Sequence, residues 1–154
     1  MTTRTGKYWS ALEEATDTNM NKMPEGWLAW VTTSSAQAGI STEQTLTAFT
    51  SSVQVNTSRL LRVECIVHFE STVAGDAALI KIKRDGSQVG GGRLELPVAG
   101  EILTLSMFCY DAPAAGTYSY TVTATVSGSG TLQMSAANVE GPCFFGVQDL
   151  GSQS

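Results

Sequence analysis

Residues 116–130, "GTYSYTVTATVSGSG", place Tyr118, Tyr120, Val122, Ala124 and Val126 on one side of an alternation. Thr117, Ser119, Thr121, Thr123 and Thr125 make up the other. A strict period of two suits only a β-strand with one face in a core and one in water, because successive strand side chains point to opposite faces. "RLLRVECIVHFE" does the same, with Val63, Cys65, Val67 and Phe69 opposed to Arg62, Glu64, His68 and Glu70. In "ALIKIKRDG", Ala78, Ile80 and Ile82 oppose Leu79, Lys81 and Lys83. That segment ends on Asp85-Gly86, a pair suited to a type I′ hairpin turn because both central residues there need positive φ.

Further strands are expected near 28–34, 45–55, 87–95, 101–110, 131–139 and 143–149, with Gly, Pro, Asn or Asp between them. Short strands separated by turn signals, without βαβ alternation, predict an all-β antiparallel sandwich or barrel of about eight strands. Residues 9–23, "WSALEEATDTNMNKM", differ: Trp9, Leu12, Met20 and Met23 recur at loosely helical spacing. Ser10 and Glu13 have the form of a capping box, and Pro24 and Gly26 would end the helix. Such a helix is marginal alone, so it must dock. The expected division is a docking segment with one short helix over 1–26, then a sandwich over 27–154. The docking residues are Trp9, Leu12, Met20, Met23 and Trp27.

Composition narrows the function. Of 154 residues, 42% are hydrophobic and only 15% charged, which argues for a packed domain and against disorder. A net charge of −5 argues against a nucleic-acid surface, which needs clustered cations. "KIKR", Lys81 to Arg84, reads as the solvent side of a strand and its turn. Cys65, Cys109 and Cys143 lie far apart in apolar segments, without a zinc-site spacing. They read as reduced core thiols, the alternative being one disulfide and a spare thiol. The N-terminus lacks an apolar signal region, and no run is long enough for a membrane helix. Synthesis in the cytoplasm and no membrane insertion are the expectation.

No constellation signals catalysis, a metal or a cofactor. His68, the only histidine, reads as part of a solvated strand face beside Glu64 and Glu70. Glu13, Glu14 and Asp17 fall in the helical stretch, and Asp76, Asp85 and Asp111 at turns, where acids usually cap local amides. Gly90–Gly92 and "SGSG" at Ser127–Gly130 lack the helix that phosphate cradling requires, and read as hairpin or bulge. Trp27, Trp30, Tyr110, Tyr118 and Tyr120 could stack on a sugar ring, although Tyr118 and Tyr120 share the core-facing side with Val122. For Trp27 and Trp30, packing of the docking helix weighs ahead of glycan contact.

Nearly the whole chain, in order, resembles a domain found among virion structural proteins of tailed bacteriophages, especially phages of actinobacteria. The resemblance rests on "TNMNKMPEGWLAWV" (Thr18 to Val31), "ISTEQTLTAF" (Ile40 to Phe49) and "TSRLLRVECIVHF" (Thr57 to Phe69). It continues through "STVAGDAALIKIKRDG" (Ser71 to Gly86), "AAGTYSYTVTATVSGSGTL" (Ala114 to Leu132) and "FGVQDLG" (Phe145 to Gly151). Gln148, where the family often has Glu, and the Gly90–Gly92 run depart from it. The resemblance implies a jelly-roll-like sandwich without enzymatic activity, located in the virion as a minor tail or baseplate protein or a capsid decoration protein. It implies other virion proteins as partners and assembly as a homo-oligomer, a trimer about an axis. A host cell-surface glycan is the alternative partner.

Overall fold

The computed structural model describes residues 25–56, 59–135 and 141–152. The expected helix, with Trp9, Leu12, Met20 and Met23, lies outside the described residues. Among those described there are ten strands and no helix: β1 (Gly26–Thr33), β2 (Gln37–Ile40), β3 (Gln44–Val55), β4 (Arg59–Ser71) and β5 (Asp76–Arg84), followed by β6 (Ser87–Leu96), β7 (Leu103–Asp111), β8 (Gly116–Ser127), β9 (Leu132–Met134) and β10 (Cys143–Ser152).

Every pairing is antiparallel, in two sheets. In the first, β7 pairs with β4 along Leu61–Phe69. The other edge of β4 is shared, with β10 beside Arg59–Ile66 and β9 beside Phe69–Ser71. β1 pairs with β10, and β2 with β9. Thus β9 and β10 run as two pieces of one line, and β1 and β2 as two pieces of the next. The second sheet has the order β3-β8-β5-β6.

The alternating side chains meet between the sheets. Val63, Cys65, Val67 and Phe69 of β4 and Phe145 and Val147 of β10 face Ile80 and Ile82 of β5 and Tyr120, Val122 and Ala124 of β8 in one buried cluster. Phe49 of β3 reaches across to Phe145 of β10, ring centroids 5.8 Å apart. The opposite faces are polar on the second sheet. There Thr45 pairs with Thr123, Thr50 with Thr121, and Lys81 and Lys83 flank the threonines. Glu43 receives Lys81 Nζ at 2.6 Å and Thr123 Oγ1 at 3.0 Å, and pairs with Lys83. These contacts, Lys81's foremost, hold its carboxyl down at about 2.

Three glycine-rich places acquire definite roles. Asp85 and Gly86 have φ of 47° and 82° between Arg84 and Ser87, the expected two-residue turn. Gly90–Gly92 lie within β6, directly after a bulge, and are not a hairpin. A Cβ on Gly90 would stand 2.7 Å from Cys109 Cβ and Sγ, and one on Gly92 3.2 Å from Met107 Sδ. The bare backbone lets β6 close against β7, joining the edges of the two sheets. Gly128 and Gly130 leave room for the buried carboxylate of Asp76, which accepts from Ser71 Oγ at 2.7 Å and the Gly130 amide at 3.1 Å.

At the other end of the sandwich, Arg84 turns away from the lysine face. It donates to both oxygens of Asp111, at 2.7 and 2.8 Å, and Asp111 also accepts from Tyr120 Oη at 2.6 Å. Arg59 and Asp149, both buried, pair at this end, with Arg59 Nε 3.0 and 3.1 Å from the two carboxylate oxygens. Asp149 accepts the Glu25 amide as well, at 2.6 Å, so the point where residues 1–24 join the sandwich is tied to its last strand.

Candidate functional site

The outer face of the first sheet is where exposed aromatic side chains collect. On β1, Trp27 pairs with Gln148 and Ala29 with Val147, leaving Leu28 as an extra residue in a bulge. In an unbroken strand Trp27 and Trp30, an odd number of residues apart, would point to opposite faces. The bulge puts both outward, and both meet Phe144 of β10: centroids are 5.6 Å apart at 86° for Trp27, and 6.3 Å at 62° for Trp30. Edge-to-face contact is favourable because a ring's positive edge meets its neighbour's negative face. Gly146 provides the seat, since a Cβ there would lie 2.5 Å from Trp27 Cζ3 and 2.7 Å from Phe144 Cζ.

Cross-strand register extends this face to the far edge. One row runs Trp27, Gln148, Arg62, Tyr110; the next Trp30, Gly146, Glu64, Phe108; the third Thr32, Phe144, Ile66, Ser106. Phe108 and Tyr110 of β7 pack together at 5.5 Å and 69°, and the Arg62 guanidinium lies 4.7 Å over the Phe108 ring. Arg62 Nη2 also pairs with Glu64 Oε2 at 2.6 Å. The result is two aromatic groups at opposite edges of the sheet with a neutralised ion pair and an amide between them. Trp30 is 66% exposed, Tyr110 58%, Phe108 53% and Trp27 44%. At the usual area of such side chains this is roughly 400–500 Å² of aromatic surface, divided between the two edges.

Of the expected docking residues, only Trp27 lies among the described residues. Trp30 and Tyr110 join it on this face, while Tyr118 and Tyr120 face inward as their alternation requires. Phe108, Phe144 and Ile66 were not anticipated; the outward alternation of Phe108 and Tyr110 around Cys109 was the available signal.

His68 needs a correction. It stands on the outer side of β4 but is buried, not solvated, at 3% exposure. Its Nδ1 lies 2.8 Å from Thr104 Oγ1 across the β4–β7 pair, and the chain leaving β9 runs alongside, the Ser135 amide donating to the His68 carbonyl. Among the described residues its Nε2 has no partner, and none of their carboxylates orients the ring. Asp76 and Asp85 accept the amides of Gly130 and Ser119, remote in sequence and not local to their turns, whereas Asp111 accepts the adjacent Ala112 amide at 3.0 Å and also holds Arg84 and Tyr120. Among the described residues no three His, Cys, Asp or Glu side chains converge as a metal-binding group, and no helix is long and apolar enough to cross a membrane. The three cysteines are free thiols, Cys65 and Cys143 buried and Cys109 partly so. Burial pushes Cys65 up to about 12 and Cys109 to about 11.

No protein-family model matches the sequence, and no curated protein matches it. Solved structures that it resembles include the VP2 subviral particle of infectious bursal disease virus, at 14% identity over 85% of this chain and 38% of that one, with a TM-score of 0.46. Eiger TNF from S. frugiperda matches at 12% identity over 68% of this chain and 67% of that one, TM-score 0.39. A carbohydrate-binding module from Cellvibrio mixtus lichenase 5A, in complex with cellotriose, matches at 11% over 79% and 97%, TM-score 0.36. The chain spans little more than a third of the length of the bursal disease virus chains. At these identities and scores the likenesses bear on neither family nor function.

Proposed function

We propose that this chain is a non-enzymatic structural protein of a tailed-phage particle, a jelly-roll module moored through residues 1–26 and displayed on the surface. The sequence resemblance supplies the class. Strand order supports the fold: with β1/β2 and β9/β10 each counted as one line, the sheets contain four strands each, connected as two Greek keys. The observation that carries the mooring is the hydrogen bond from the Glu25 amide to Asp149. It ties Glu25, the residue through which residues 1–24 join the sandwich, to β10. Copies on a symmetric particle would multiply a weak contact of that segment through effective concentration.

Placement in the tail or baseplate is preferred, with capsid decoration as the alternative; trimeric assembly rests on the resemblance alone. Antibody against this protein, applied to negatively stained particles, tests the placement. Labelled tails are expected. Labelled capsids would make it a decoration protein, and unlabelled particles lacking the chain by mass spectrometry would refute the reading. A second reading, adsorption to a host glycan, is favoured by the exposed aromatic face.

A further inference from the structure

We infer that the outer face of the first sheet is a binding platform for a neutral oligosaccharide, held between Trp27 and Trp30 at one edge and Phe108 and Tyr110 at the other. This deepens the second reading above and stands independently of where on a particle the protein sits.

The chemistry of the face selects the occupant. A pyranose presents slightly positive C–H bonds on its ring faces, which suit the negative face of an indole or phenol, and hydroxyls around its rim, which need hydrogen-bonding partners. Both sets of groups are present in register. The row Trp27, Gln148, Arg62, Tyr110 places an amide and a guanidinium between two aromatic rings, and Glu64 lies beside them in the next row. From β1 to β7 is three strand spacings, about 14 Å, so the rings can contact different sugars of one chain lying across the strands.

Other occupants fit less well. A stable protein partner takes about 800 Å² from each side and a core depleted of charge. Here the Arg62–Glu64 pair sits at the centre of the face, between the two aromatic groups. A single-stranded nucleic acid could stack on the same rings, but its phosphates need cations. The chain carries −5 overall, and the one arginine between the rings is already neutralised by Glu64. That neutrality also points to an uncharged glycan.

The test uses the full-length protein, titrated separately with cellohexaose, chitohexaose and maltohexaose and followed by tryptophan fluorescence and calorimetry. Saturable binding of at least one is expected, little changed by salt. Trp30→Ala and Tyr110→Ala should each weaken it by about tenfold, the loss of one stacking contact. Trp30→Phe should retain most of it. Because Trp30 and Tyr110 are more than half exposed, neither truncation should unfold the protein, which circular dichroism verifies. Absence of binding to all three sugars would overturn the inference, as would binding that both truncations leave untouched. So would a self-association of the protein abolished by Trp30→Ala, which would make the face a contact between copies. Incorporation of Trp30→Ala into particles at the unmodified level keeps the sugar result separate from the structural role.

Discussion

Arg59, at the start of β4, and Asp149, near the end of β10, form an ion pair with 3% and 1% of their side chains exposed. Removing one member of a buried pair leaves the other charge in a low-dielectric setting, a cost of about 3–5 kcal/mol. Asp149 also accepts the amides of Glu25 and Gly151, at 2.6 and 2.9 Å. Asp149→Ala is therefore expected to destabilise the sandwich by about that amount, read as a lowered urea midpoint at unchanged slope. A midpoint unchanged from the parent protein would show that this junction is not structural.

The same carboxylate gives a pH dependence. Burial alone would raise its pKa, but the Arg59 guanidinium and the Glu25 and Gly151 amides outweigh burial and hold it below the ordinary carboxylate value. A group depressed in the folded state contributes stability that is complete above its unfolded value, about 4, and is lost as pH falls through the folded one. Thermal stability should accordingly fall as pH drops below about 4. Asp149→Asn should flatten that fall while being less stable than the parent at neutral pH. Glu43, held at about 2, acts in the same direction but is a third exposed and screened by solvent.

Gly90 and Gly92 are expected to respond differently to alanine. At Gly90 the new methyl meets the Cβ and Sγ of Cys109, close to the β7 backbone and unable to swing aside. Overpacking of this kind costs about 1–3 kcal/mol. At Gly92 the neighbour is the Met107 thioether, which can move, so the cost should be smaller. Chemical denaturation of the two variants measures the difference; equal midpoints would contradict this account of the closed β6–β7 edge.

The thiols should be slow to react. Cys65 and Cys143 are buried and Cys109 is half-covered, with Cys65 raised to about 12 by burial. Only thiolate is an effective nucleophile. Labelling with a disulfide-exchange reagent at neutral pH should be slow in the native protein, Cys109 reacting first, and should reach all three in denaturant. Fewer than three thiols in denaturant would mean that a disulfide had formed.

What the sequence disclosed was whatever depends on neighbours along the chain. The alternations of β4, β5 and β8 gave their inward and outward faces, and Asp85-Gly86 gave its turn. β2 escaped notice because its four residues pair only with a three-residue partner and carry no full alternation. The glycines of β6 read as a turn or bulge because the reason for them, Cys109 and Met107 on another strand, is remote in sequence. The aromatic face was hidden for a similar reason. Trp27 and Trp30 share a side only through the bulge at Leu28, and Phe144, Phe108 and Tyr110 come to them by register across four strands. His68 was placed on the correct side of its strand, but burial there depends on Thr104 and on the chain after β9.

Removal of residues 1–23 tests the moored sandwich most directly. The shortened protein should keep a β-type circular dichroism spectrum and a cooperative unfolding transition, yet be missing from density-purified particles that incorporate the full chain. Its presence in those particles at the full-length level would contradict the mooring role, and a spectrum dominated by α-helix from the intact protein would contradict the fold itself.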